Sequence, residues 1–171
     1  MTVTGTGPIK RGIVRRTRSS GPLKAALVGG IHQKLAARST PYPYMVYTEV
    51  SAPFIRDWGN GVSQGGREIQ AIYDIVVYAS NTVEAENLDQ LIDNLFDGAD
   101  LELDPLVDGQ RVFYCARIAN VPGGPDRDDE GRYIVMVGGT YEIHTEQSIT
   151  PSANVGAGAA VGTGSSGPIG P

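Results

Sequence analysis

Between residues 67 and 79 apolar side chains fall on alternate positions. Ile69, Ala71, Tyr73, Ile75 and Val77 make one face, while Glu68, Gln70, Asp74 and Tyr78 fall on the other with Ile72 and Val76. A period of two predicts a half-buried antiparallel strand. Arg111–Asn120 repeats the pattern, with Val112, Tyr114, Ala116 and Ile118 on one face. So does Arg132–Glu146, where Tyr133, Val135, Val137, Tyr141 and Ile143 point inward. Gly138 and Gly139 interrupt this last strand, as a bulge or a close backbone approach would. Pro41-Tyr42-Pro43 holds the chain extended, and the β-branched and aromatic run Tyr44–Val50 follows as a strand.

Two stretches carry a helical period instead. Leu23, Leu27, Ile31 and Leu35 recur at every fourth residue. With Ser20 as cap and Pro22 in the first turn, they predict a helix to about Ala37. Gly29 and Gly30 weaken it by about 1 kcal/mol each; they permit close packing or mark a break. Asn81-Thr-Val-Glu84 has the form of a capping box. It opens a second helix to about Phe96, with Ala85, Leu88, Ile92 and Leu95 as the buried stripe. Asp97-Gly98 and Asp108-Gly109 bracket a short strand at Leu101–Leu103, and residues 51–66 and 121–131 are connections.

The order predicts an α+β fold: an antiparallel sheet of about four strands with two helices packed on one face. The patterned body covers residues 21–147. Residues 1–20, rich in Thr, Gly and Arg, are expected as an extended arm, and residues 148–171 as a flexible Gly/Ala/Ser/Pro-rich tail. Long strands leave edges that must be covered or paired with another subunit, so oligomerisation is expected.

Charge changes this picture. The 171 residues carry a net −5, which argues against general affinity for nucleic acid. Residues 1–48, however, hold eight basic residues and no acid, whereas residues 49–171 hold 6 basic and 19 acidic residues, a net of −13. The basic segment, with Arg15, Arg16 and Arg18, is read as a solvated arm, as a dock for the acidic body of another copy, or as a phosphate contact. No apolar run approaches the length needed to span a bilayer, and no secretory signal is read at the N-terminus. The single cysteine, Cys115, excludes an internal disulfide framework.

Candidate chemistry is sparse. His32 and His144 lie on different elements and share no ligand spacing, so no metal site is expected. Gly61-Val-Ser63-Gln-Gly65 matches a nucleophile-elbow string but runs into a strand, not a helix. Cys115 is mid-strand, as a small buried hydrophobe would be. Asp126, Asp128, Asp129 and Glu130 imitate the start of a calcium loop, but its twelfth position is Val137 where a bidentate Glu is needed. Arg56, Asp57 and Trp58 place the only tryptophan in a loop; Trp and Arg are frequent interface anchors. No enzymatic activity and no cofactor are expected.

Several of these pieces form an ordered set. The Leu-x-x-x-Leu-x-x-x-Ile helix precedes Thr40-Pro-Tyr-Pro-Tyr-Met-Val-Tyr-Thr-Glu-Val50. A Gly-rich connection leads to the strand ending Ile75-Val-Val-Tyr-Ala79. Glu84-Ala-Glu-Asn-Leu88, the acidic loop Pro125–Gly131 and a long final strand follow. Over residues 21–147 this order resembles the tail-terminator, or tail-completion, family of long-tailed bacteriophages. The resemblance implies a non-enzymatic virion protein at the tail–neck junction, assembled in the host cytoplasm. It implies a ring, typically of six copies, on the head-proximal end of the tail tube. Such a ring stops tube polymerisation and meets the tube protein on one side and head-completion or neck proteins on the other. Viral DNA passes through its lumen without specific binding, and no membrane is involved. An acidic body suits that passage because it repels phosphate. The loops at 52–66 and 121–131 are the expected contacts to neighbouring rings. Alternatives are another head-to-tail connector or tail-tube component, a small hydrolase or ligand-binding α+β domain, and a nucleic-acid binder using the arm.

Overall fold

The computed structural model describes residues 6–51, 53–58, 65–98, 101 and 111–149. The elements run α1 (Gly7–Ser19), α2 (Gly21–Ala26), β1 (Gly30–Gln33), β2 (Tyr44–Glu49), β3 (Phe54–Trp58), β4 (Gly65–Ala79), α3 (Thr82–Phe96), β5 (Arg111–Val121), β6 (Pro125–Arg127) and β7 (Tyr133–Ile149). The fold is α+β. The sheet has seven strands in the order β1-β2-β4-β7-β5, with β3 beside β4 and β6 beside β7.

Its spine is the β4–β7 pair, antiparallel from Gly65↔Ile149 to Ala79↔Val135. The alternation then acts as expected. Ile69, Ala71, Tyr73, Ile75 and Val77 of β4 are buried with Tyr141, Ile143 and Val135 of β7. All lie under the helices. Each fully buried aliphatic side chain of this kind contributes about 1.5–3 kcal/mol. From α3, Ala85, Leu88, Ile92 and Phe96 pack onto this face. Asn81 caps α3 as its sequence foretells, its Oδ1 accepting the Glu84 N–H at 2.8 Å.

The glycines of β7 are explained by close approach. A Cβ on Gly138 would lie 2.3 Å from the Ile75 carbonyl oxygen, and one on Gly139 would strike the Arg117 side chain. The bulges fall on β5 instead. Its register slips between Val112 and Tyr114 and between Arg117 and Ala119. Phe113 and Ile118 are the extra residues and stand exposed. The slips bury Val112 and Cys115 and turn Arg117 to the helix side, so the simple alternation expected for β5 fails.

Four other expectations are corrected. Residues 7–19 of the expected extended arm form α1, with Ile9 and Ile13 wholly buried in the common core. The helix foreseen to Ala37 stops at Ala26. Gly30 adopts φ 83°, and the Gly29 N–H donates to the Pro43 carbonyl, which redirects the chain into β1. A Cβ on Gly29 would also meet the Pro41 oxygen at 2.0 Å. β1 pairs with β2 in parallel, so the sheet is mixed. Finally, β3 and β6 form short strands inside the two segments read as connections. Of the strand expected at Leu101–Leu103, Leu101 is buried in the core, and the other two residues lie outside the described ones. So does the tail beyond Ile149.

Candidate assembly surfaces

The expected contact residues are distributed over three places. Arg15 and Arg18 stand on the exposed flank of α1. Arg16 turns the other way, its Nε 3.5 Å from the Leu95 carbonyl oxygen of α3. Arg56, Asp57 and Trp58 lie on β3, paired with Glu68, Arg67 and Gly66. Asp126 is on β6, and Asp128, Asp129 and Glu130 are in the turn that follows it.

The last two places are far apart. β3 pairs with β4 at residues 66–70, while β6 pairs with β7 at residues 133–135, opposite Ala79. From Ile69 to Ala79 there are ten residues of strand, roughly 33 Å. The two loop-bearing regions therefore sit at opposite ends of one stiff two-strand spine.

The acidic turn is organised by Asp128. Its Oδ1 accepts the N–H groups of Glu130 and Arg132 at 3.0 and 2.8 Å. Its Oδ2 accepts Arg132 Nε at 2.6 Å and the Tyr42 hydroxyl at 3.1 Å. Desolvation pushes this carboxyl's pKa up, but the Arg132 N–H and guanidinium, Tyr42 and the Glu130 N–H outweigh it and hold the pKa low. The carboxylate is thus committed to the turn. Asp129 pairs with Arg38 at 3.2 Å on the surface. Tyr42 stacks on Tyr44 at 5.3 Å and Tyr44 on Tyr78 at 4.9 Å, with the Arg132 guanidinium 5.1 Å over the Tyr42 ring. Burial, then the Tyr42 and Tyr78 phenols, push the Tyr44 pKa up to about 12. This aromatic ladder pins the turn to the end of the sheet.

Among the described residues, no element covers the sheet face away from the helices. There His144 sits between two carboxylates, with Nδ1 3.1 Å from Glu68 and Nε2 3.1 Å from Glu142, and Gln70 donates to Glu142. Tyr114 and Phe113 meet the His144 ring in T-shaped contacts, with centroids 5.1 and 5.7 Å away. Phe54, opposite Gln70 in register, continues this row as an exposed aromatic.

One polar anchor lies outside the candidate residues named from the sequence. Arg117 is largely buried and makes a two-pronged contact with Asp89 at 3.2 and 3.0 Å. It also reaches Asp93 at 3.3 Å and the Gly138 carbonyl at 2.9 Å. Burial alone would lower its pKa, but the Asp89 and Asp93 carboxylates more than reverse that. The pair clamps α3 to β5. An arginine inside an apolar strand, opposite a helix with acids at 86, 89 and 93, was the available clue.

Among the described residues, side chains with catalytic potential do not converge. Cys115 is buried, and burial pushes its thiol up to about 12. His32 Nε2 lies 2.8 Å from the Gly29 carbonyl, away from His144. Ser63 lies outside the described residues. Among the described residues no group of three or more His, Cys, Asp or Glu is arranged to hold a metal ion, and no helix is long and apolar enough to cross a membrane.

No family model and no curated protein matches the chain. Solved structures do match in fold. Among them is a chain from the virion of a native gene transfer agent particle, with a TM-score of 0.55 over 84% of this chain and 98% of that one. At 12% identity the likeness is one of fold.

Proposed function

We infer that this chain is a structural component of a phage-like particle. In its finer form the reading is a tail terminator: a ring, six-fold as in the family the sequence resembles, on the head-proximal end of the tail tube. The ring halts tube polymerisation and offers a joining surface to the neck. The fold shared with a gene transfer agent virion chain supports the coarser part. The observation that carries the finer part is the placement of loop-bearing surfaces at both ends of the β4–β7 spine. A ring subunit that joins a tube below and a neck above needs two such ends, and lateral sheet edges for closure. The role is mechanical, without catalysis, cofactor or metal, and DNA passes without being gripped.

Adding the purified chain to growing tube subunits from the same particle tests this. Electron microscopy should find short tubes with a ring at one end. Long polymers built of this chain itself would point to a tube subunit, and unaltered tube lengths would sink the terminator reading. The acidic turn is the surface for one of the two joins. Asp126→Ala with Asp129→Ala should weaken joining while leaving the fold intact. Asp128 is spared because it builds the turn. Normal joining by the double variant would remove the turn from the contact.

A further inference from the structure

The edge strand β1 is short and bounded at both ends. It has four residues, Gly30–Gln33, and among the described strands it pairs with β2 alone, so its outer side carries no strand. Left-handed backbone closes it, Gly30 at φ 83° and Lys34 at φ 68°. A short edge protects against unlimited strand pairing. Here, however, apolar side chains flank the edge in the open: Val28 is 68% and Leu35 83% exposed. Large apolar side chains beside an unpaired edge mark a place of contact.

A small pocket lies against the same strand. Thr17, Arg18, Lys24, Leu27, Gly30 and Ile31 enclose about 180 Å³. Ile31 stands opposite the buried Met45 and so turns to the helix side. Leu27 and Ile31 supply apolar wall, while Arg18 and Lys24, both exposed, supply the charge. No carboxylate lines the pocket. Sites for drug-sized ligands run from about 300 Å³ upward; this one suits a single aliphatic side chain. Alternate side chains of a strand share a face, roughly 7 Å apart. A strand carrying carboxylate, apolar and carboxylate side chains on one face therefore matches a pocket of this make-up. We propose that β1 accepts an extended acidic segment of a partner protein as an added strand. An apolar side chain of that segment enters the pocket, and its flanking carboxylates meet Arg18 and Lys24. Duplex DNA would use the cations and leave both the strand edge and the apolar wall unused, so the arrangement favours a peptide. The contact goes beyond the terminator reading and does not rest on it.

The test titrates the full chain with a synthetic peptide, acetyl-Ser-Glu-Thr-Val-Thr-Glu-Ser-amide, up to millimolar concentration. Amide NMR spectra report where it binds. The shifts should centre on Leu27 and Gly30–Gln33, and added salt should weaken binding. Replacing the central Val of the peptide with Ser should weaken it roughly tenfold, through loss of the buried anchor. Methylating alternate backbone nitrogens of the peptide should abolish binding, because an added strand needs those donors. On the protein, Arg18→Glu and Lys24→Glu should each weaken binding roughly fivefold or more. Both positions are exposed, so the spectra should find both variants folded. The peptide controls use the unaltered chain and do not depend on that.

Absence of shifts at millimolar peptide overturns the proposal, as do shifts centred elsewhere. So does a methylated or Val-less peptide that binds as well as the original, or binding that survives both charge reversals. Short duplex DNA that moves the same amides at lower concentration than the peptide would assign the patch to phosphate instead. The same shifts on concentrating the chain alone would assign the edge to a second copy. Tube growth that ignores this chain while the peptide binds as described would sink the terminator reading and keep this contact.

Discussion

The two faces of the sheet are written by alternate residues of the same strands, yet they are built on different principles. The covered face is apolar and continuous: Ile69, Tyr73, Ile75, Tyr141 and Ile143 close against Ile9, Ile13, Leu23, Leu88 and Phe96. The uncovered face is held by paired polar and aromatic groups: Glu68 and Glu142 on His144, Thr140 on Asp74 at 2.7 Å, and the Tyr42–Tyr44–Tyr78 ladder. Burial on the first face drives the fold. The second face contributes less to the core. Stability and assembly should therefore separate by face.

Substitutions can break that separation, and the largest effects should come from the covered side. Ile13→Ala removes a wholly buried side chain, so chemical denaturation should register a loss of about 2–5 kcal/mol. A loss within 0.5 kcal/mol, about the level of a surface substitution, would return residues 7–19 to the status of a dispensable arm. Gly138→Ala drives a Cβ into the β4 backbone and should cost about 1–3 kcal/mol by overpacking. Asn81→Ala removes the cap that seats α3 and should cost about 1 kcal/mol. On the uncovered face, Phe54→Ser and Phe113→Ser should stay within about 0.5 kcal/mol in the same assay. A loss as large as that of Ile13→Ala would mean that this face is part of the folding core.

The smallest effect is local and pH-dependent. The folded-state pKa of Asp128 is depressed. Its contribution is therefore present above the ordinary carboxylate range and is lost as pH falls through the lower folded value. Acid titration followed by NMR at Tyr42 and Arg132 should find the turn loosening there while core resonances hold. Simultaneous loss of core signals would tie the turn to global stability.

Where local pattern and tertiary environment agreed, the sequence was readable. The α3 stripe and its Asn81 cap, the alternation of β4, and the Gly138-Gly139 interruption each carry their meaning within a few residues. The misses have physical reasons. α1 buries Pro8, Ile9, Gly12, Ile13 and Thr17 on an arginine-rich segment, so its helical stripe is thin and is completed by α2 and α3. β1 is four residues long and parallel, its identity supplied by β2 across an intervening loop. β5 has two bulges that no alternation rule anticipates. Among the candidate contacts, the acidic turn was legible as a polar segment, but the commitment of Asp128 to Tyr42 and Arg132 depends on chain reversal over 86 residues. The segregation of charge was plain in the sequence; that Arg15 and Arg18 stand exposed on α1 while Arg16 turns towards α3 needed the structure.

Native mass spectrometry of the intact chain at low and moderate salt tests the central claim most directly. The account predicts a closed assembly near six copies at low salt that dissociates as salt rises. A single species of one copy, or an open ladder of ever-larger assemblies without a closed size, would contradict it.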